Sequence, residues 1–230
     1  MVKQTQEAGL YPIVEKWMGR RFRCFKTALN VGLSYSRVDV LGVRDIGGAL
    51  TGEIETVAIE VKRHAGLFAT SSGQALGYQV YANRVYLAAV APSGFKPAEL
   101  EIASHLGIGL IQIKGLQCRE VLSSPYHHPI TRMCTELIEC LALGKCQLCG
   151  TFFDIGVAGK GGNRWSKVSR ENFRKAFAGE KGLIFWNHEL AVRKNKIGIR
   201  ITKDGTTYER RYICPACVSV LAQIAEISPR

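Results

Sequence analysis

The sequence predicts an α/β chain in which a mixed sheet flanked by helices is followed by a smaller α+β module. Three observations lead there. Two apolar stretches, Arg37 to Arg44 and Thr56 to Lys62, read as strands, and the gap between them holds Gly47, Gly48 and Gly52, so an antiparallel hairpin with a long loop is expected. Helix and strand patterns then alternate as far as residue 113, which implies right-handed crossovers and a mixed sheet with helices on its faces. Two Cys-x-x-Cys pairs, Cys146 with Cys149 and Cys214 with Cys217, mark the C-terminal part of the 230-residue chain.

Each element has its own signal. From Gln4 to Arg21 the apolar residues Leu10, Ile13, Val14 and Trp17 recur at the spacing of an amphipathic helix. Pro12 inside that run requires the helix to begin near it or to kink there. Residues 23–33 supply a first, irregular strand. After Lys62 comes a loop from Arg63 to Thr70, with Ser71 or Ser72 as N-cap of a helix from Gly73 to about Asn83. Arg84 to Val90 is a strand, Lys96 to Leu106 a helix and Ile108 to Ile113 a strand. Ser123 to Pro129 reads as a linker, with His127 and His128 in a turn flanked by prolines. A helix from Ile130 to Leu143 leads to the first cysteine pair, and Val218 to Ile227 forms a helix after the second. The expected division is a domain over 1–124, a linker and connecting helix over 125–144, and a module over 145–230.

Alternation along the second strand puts Ala58, Glu60 and Lys62 on one face and Val57, Ile59 and Val61 on the other. If the hairpin pairs, Asp39 lies beside Glu60, and two carboxylates that close repel unless a cation sits between them. Hard oxygen ligands of this kind suit Mg²⁺ or Mn²⁺. Lys62 is then placed to lower the pKa of an attacking water or to stabilise charge on a phosphate. The plainer alternative is a surface salt bridge among the three, but burying them on apolar strands costs several kcal/mol without a purpose. Downstream, Gln74 and Tyr78 stand one helical turn apart, where an amide and a hydroxyl can hydrogen-bond a phosphate or a metal-bound water.

Composition narrows the class. A hydrophobic content of 47% is that of a globular protein. No apolar run is long enough to span a bilayer and the N-terminus has no signal-peptide pattern, so the expectation is a soluble, cytoplasmic protein with no membrane partner. The formal charge is +12, and residues 145 to 217 hold 15 Lys or Arg against 6 Asp or Glu, which favours a polyanion. Within that stretch Lys160, Arg164, Trp165, Lys167, Arg170, Arg174 and Lys175 are candidates for tracking phosphates and stacking on a base, with a second basic stretch from Arg193 to Arg200. Cys24, Cys118, Cys134 and Cys140 read as small buried thiols. The paired cysteines have the spacing of a four-thiolate structural Zn²⁺ site, with 64 residues between the pairs.

Asp39 and the triplet Glu60-Val61-Lys62 resemble the motif of the PD-(D/E)xK nucleases, with Val38 where the motif has proline. Gln74 and Tyr78 are similar to the QxxxY motif of that superfamily's RecB-like branch, and the order of elements over the first 120 residues is that of a restriction-endonuclease-like core. The cysteine module looks like a treble clef. The resemblance implies a metal-dependent deoxyribonuclease: Asp39, Glu60 and the Val61 carbonyl holding Mg²⁺ or Mn²⁺, Lys62 activating water, and Gln74 assisting with Tyr78. A further acid on the first helix is expected, Glu7 or Glu15, with Glu7 preferred because it falls nearer the apolar face. DNA is the expected partner, and a homodimer is among the arrangements the resemblance allows. The alternatives are a non-catalytic nucleic-acid-binding protein on a nuclease-like fold and a zinc-stabilised scaffold for protein partners.

Overall fold

A computed structural model describes residues 7–33, 36–48, 53–64, 68–146, 148–154, 183–186, 210–214, 216, 217, 220 and 223. The chain divides into two compact units, Met1–Leu141 and Ala142–Arg230. Among the described residues no helix is long and apolar enough to cross a membrane.

The first unit is a six-stranded mixed sheet flanked by helices. A short 3-10 turn, Glu7–Leu10, leads into α1, Tyr11–Phe22, which takes Pro12 in its first turn, where a missing N–H costs nothing. The helix ends at Arg23, which adopts a left-handed conformation and returns its N–H to the Gly19 carbonyl. Strands β1, Lys26–Leu33, β2, Ser36–Asp45, and β3, Ile54–Lys62, form an antiparallel meander. Helix α2, Phe68–Gly77, crosses to β4, Arg84–Val90, which pairs parallel with β3. Helix α3, Pro97–Leu106, crosses to β5, Gly109–Lys114, parallel to β4. The edge strand β6, Gln117–Leu122, returns antiparallel to β5, so the order is β1-β2-β3-β4-β5-β6.

One face of the sheet packs on α1. Val14, Met18 and Phe22 of the helix meet Val40, Val57, Ile59, Val61, Tyr86, Ala88, Ile111 and Ile113. The strand members of that cluster alternate, as period 2 requires. The other face is covered by α2 and α3, so β3 is buried from Glu55 to Val61 on both sides. Burial on both faces is the ordinary condition of a strand flanked by crossover helices.

The structure departs from the sequence expectation at several elements of this unit. Helix α2 starts at Phe68, and Ser71 and Ser72 are buried inside it, so neither is its N-cap. Phe68, in its first turn, packs edge-on against Phe95 at 6.4 Å, a contact no local pattern announces. The same helix stops at Gly77 and tightens into a 3-10 turn, Tyr78–Val80. Strand β6 was not expected; its alternating half-buried and exposed residues follow a two-residue turn in which Gly115 has φ +61°.

Residues 123–129, expected as a linker, are fastened to the sheet. The Val85 N–H donates to Ser124 Oγ, Asn83 Nδ2 donates to the Tyr126 hydroxyl, and the His127 N–H donates to the Asn83 carbonyl at 2.7 Å. His127 Nε2 lies 2.7 Å from the Gly107 carbonyl at the end of α3. Helix α4, Thr131–Cys140, follows. It ends three residues before the expected Leu143, because Ala142 turns left-handed and Leu143–Lys145 begins the strand β7.

The second unit contains the hairpin of β7 with β8, Phe152–Asp154, and a pair formed by β9, Leu183–Trp186, with β10, Arg210–Ile213. Of the helix expected over 218–227, residues 220 and 223 are helical and the remainder lies outside the described residues.

Gly109 gives a direct test of the packing. A Cβ there would overlap the Tyr86 ring and come 2.7 Å from the Ser124 backbone nitrogen, and Tyr86 is only 1% exposed. Gly109→Ala is expected to cost about 2 kcal/mol, because overpacking a filled core forces strand or ring to shift. Urea unfolding of the variant beside the native chain measures it.

Candidate metal-dependent active site

Strands β2 and β3 pair in register from Asp45↔Ile54 to Val40↔Ile59, and the ladder ends there. Beyond that point β3 continues beside β4, with Glu60, Val61 and Lys62 opposite Leu87, Ala88 and Ala89. The Val61 N–H donates to Asp39 Oδ2 at 2.8 Å, so a side-chain carboxylate accepts at the splayed end of the hairpin. The other oxygen, Asp39 Oδ1, accepts from the Tyr11 hydroxyl at 2.8 Å. Asp39 is thereby fixed from both sides by groups distant in sequence.

Glu60 is only 4% exposed, and its two oxygens have different partners. Lys62 Nζ lies 2.6 Å from Oε1. The Tyr78 hydroxyl sits between Oε2 and the Arg37 carbonyl, 2.7 Å from the latter, and its single proton serves either acceptor. Lys62 also meets Glu7 Oε1 at 3.1 Å. Glu15 points elsewhere and accepts from the Thr27 hydroxyl at 2.8 Å. Arg37, Asp39, Glu60, Lys62, Gly73, Gln74, Gly77 and Tyr78 line one pocket of about 480 Å³.

The structure therefore brings Asp39, Glu60, Lys62, Gln74 and Tyr78 to one pocket, with Glu7 reaching Lys62 from beside it. Val61 joins through its N–H. Tyr78 does not share a helix with Gln74, since α2 ends between them, and its hydroxyl is taken up by Glu60 and the Arg37 carbonyl. Tyr11 and Arg37 were not singled out in the sequence. Their signals were present but faint: Tyr11 stands four residues after Glu7, and Arg37 stands two residues before Asp39 on the same strand face.

The electrostatics of this cluster are unbalanced. Glu55, at the other end of β3, is equally buried, but Arg44 Nη2 and Arg84 Nε meet it at 2.7 and 2.9 Å. Around Lys62, by contrast, gather Glu60, Glu7 and the nearby Asp39. Burial and the neighbouring Glu60 charge push the Asp39 carboxyl up to about 6, against the opposing hydrogen bond from Val61. Burial alone would lower the Lys62 pKa, but hydrogen bonds to Glu60 and Glu7 outweigh it and hold Lys62 as the ammonium. Burial and the same carboxylates raise Tyr11 and Tyr78, so both stay neutral donors. Two carboxylates opening into one pocket form a donor set that fits a hard divalent cation.

In the second unit, the four Sγ atoms of Cys146, Cys149, Cys214 and Cys217 all lie within 4.8 Å of one another, close enough to hold one metal ion. Cys146 and Cys149 sit on the turn of the β7-β8 hairpin, where the Gly150 N–H donates to the Cys146 carbonyl and Gly150 has φ +74°. Cys214 follows β10 directly, and its N–H donates to Cys146 Sγ at 3.3 Å. The Cys149 and Cys214 sulfurs are 3.7 Å apart. Tetrahedral Zn²⁺ with bonds of about 2.3 Å would place its sulfurs about 3.8 Å from one another, so the donor set is compatible with Zn²⁺. The Thr151 hydroxyl and N–H bring the Cys149 thiol down to about 6, toward the thiolate that a metal binds.

The seven residues expected to contact nucleic acid, Lys160, Arg164, Trp165, Lys167, Arg170, Arg174 and Lys175, lie outside the described residues, as does the basic stretch 193–200.

The purified full chain is expected to carry one zinc per molecule by elemental analysis, and Cys214→Ser to carry none and to melt at a lower temperature. A native preparation with well under one equivalent, and no thermal shift on adding Zn²⁺, would contradict this.

The sequence matches no protein-family model and no curated protein. Among solved structures the chain is similar to a protein of unknown function from Silicibacter pomeroyi, at 23% identity, covering 60% of this chain and 86% of that one with a TM-score of 0.42. A likeness of that degree carries no argument about function.

Proposed function

We propose that this chain is a metal-dependent endonuclease that hydrolyses phosphodiester bonds in DNA, on a restriction-endonuclease-like core. The observation that supports this best is the convergence of Asp39, Glu60, Lys62 and Gln74 on one pocket at the end of a buried strand. Asp39, Glu60 and the Val61 carbonyl would hold Mg²⁺ or Mn²⁺, with Tyr11 and Tyr78 holding the two carboxylates in place. The metal would supply charge stabilisation at a phosphoryl oxygen and a more acidic bound water.

Lys62 acts in this reading as a fixed cation. Held as the ammonium by Glu60 and Glu7, it is poorly suited to accept a proton and well suited to stabilise a developing negative charge. Gln74, exposed on the pocket wall, offers an amide to the attacking water or to a phosphate oxygen. The second unit, with its four-cysteine site binding Zn²⁺, adds affinity for phosphates through the basic segment between its cysteine pairs.

Cleavage of labelled plasmid, linear duplex, branched and single-stranded DNA with Mg²⁺ or Mn²⁺ tests the reading. The native chain is expected to cut, and Lys62→Ala to lower kcat by about 100-fold while still binding DNA. Cleavage unchanged in Lys62→Ala and Glu60→Ala would remove these residues from the chemistry. Tight, salt-sensitive binding with no cutting would leave a non-catalytic binding protein.

The pH dependence has a defined sign. A cation binds the Asp39 carboxylate and competes with the proton, which leaves at about pH 6. Mn²⁺ affinity measured by calorimetry is thus expected to fall by about tenfold per pH unit below that point and to level off above it. A flat profile between pH 5 and pH 7, on the order of two units around the carboxyl's shifted range, would count against Asp39 as a ligand.

A further inference from the structure

The pocket holds two cations in unlike circumstances. Lys62 is engaged by Glu60 and Glu7. Arg37 lines the same pocket, two residues before Asp39 on β2, and is exposed; its guanidinium makes no ion pair among the described residues. Its backbone is held in the ladder of β2 with β1, where Arg37 pairs with Gly32, and its carbonyl lies 2.7 Å from the Tyr78 hydroxyl. An arginine anchored at the main chain, with a free planar fork of donors, is suited to a phosphate group.

Helix α2 contributes another wall through Gly73, Gln74 and Gly77. The two glycines are four residues apart on one helix face, and both are exposed. Glycine weakens a helix relative to alanine, so its presence twice calls for a reason. Packing supplies none, since a Cβ at either position would meet nothing within 4 Å. Backbone conformation supplies none either, since Gly77 has helical φ −57° and ψ −23°. What the missing side chains do is leave the pocket wall open beside Asp39 and Glu60. A volume of about 480 Å³ is in the range that takes a ligand much larger than one phosphate.

We propose that Arg37 and the bare face of α2 at Gly73 and Gly77 form a backbone-binding subsite of this pocket. Arg37 binds the phosphate next to the scissile one, and the sugar-phosphate chain lies directly against the helix, where Gln74 reaches it. The substrate is accordingly a polynucleotide spanning at least two consecutive phosphates. This inference rests on reading the pocket as the site of phosphodiester hydrolysis.

The test uses the full chain and its variants Arg37→Ala, Arg37→Lys, Gly77→Ala and Gly77→Leu. Cleavage kinetics on a labelled oligonucleotide are measured at several salt concentrations, with Mn²⁺ binding by calorimetry and thermal melting alongside. Arg37→Ala is expected to raise KM roughly tenfold with a smaller change in kcat, and to reduce the salt slope of KM by about one, the signature of one lost phosphate contact. Arg37→Lys restores part of the loss, and Mn²⁺ affinity is unchanged in both. Gly77→Ala and Gly77→Leu keep or raise the melting temperature while KM rises with side-chain size.

An unchanged KM and salt slope in Arg37→Ala, or full activity in Gly77→Leu, overturns the subsite while leaving the nuclease reading intact. Loss of Mn²⁺ binding in Arg37→Ala also overturns it, since the arginine would then act through the metal ligands. A native chain that cuts no DNA removes the nuclease reading and this inference together.

Discussion

Strand β3 is enclosed on both faces, and that enclosure governs the rest of the first unit. A charge buried on the strand must find its partners largely within the protein. At one end the condition is met by symmetry of charge: Glu55 lies between Arg44 and Arg84, and the cluster ties β2, β3 and β4 together. At the other end it is met only in part. Glu60 and Glu7 share one lysine, and Asp39 lies close enough to feel the Glu60 charge. The two buried glutamates of one strand thus have different surroundings: Glu55 is enclosed by two arginines, whereas Glu60 opens on a pocket lined also by Arg37, Asp39 and Lys62.

The geometry there depends on where the hairpin stops pairing. Had the β2-β3 ladder continued past Val40, the Val61 N–H could have found a backbone carbonyl and Asp39 would have been a face residue like any other. The ladder ends instead, and the Asp39 carboxylate accepts that N–H while Tyr11, delivered by the start of α1, holds its second oxygen. Tyr78, placed by the 3-10 turn after α2, serves Glu60 in the same manner. Two neutral phenols thus orient two carboxylates without cancelling their charge. Such donors fix a ligand's position and leave its second lone pairs free for a metal.

The cysteine cluster follows related logic with softer atoms. The β7-β8 turn presents Cys146 and Cys149, and β10 ends by delivering Cys214 with its N–H already donated to the Cys146 sulfur. Thiols this close cannot all ionise independently, and a metal that binds the thiolates resolves the conflict while joining segments more than sixty residues apart in the chain.

The sequence by itself determined most of the elements, because the periods of helix and strand are properties of the backbone and show locally. Alternation in Val57, Ile59 and Val61 placed one face of β3 in the core, and the glycine-bearing gap after Arg44 led to the antiparallel pairing that sets Asp39 near Glu60. Cysteine spacing likewise announced the grouping of four thiols. Only the tertiary structure decided the start of α2 at Phe68, the edge strand β6, and the fastening of residues 123–129. Those depend on packing partners far along the chain, such as Phe95 and Asn83. It also decided that Tyr11 serves Asp39 across 28 residues, that Lys62 is shared between two glutamates, and that Arg37 is left unpaired among the described residues. A side chain's partner is a matter of distance in space, and no periodicity of the chain carries it.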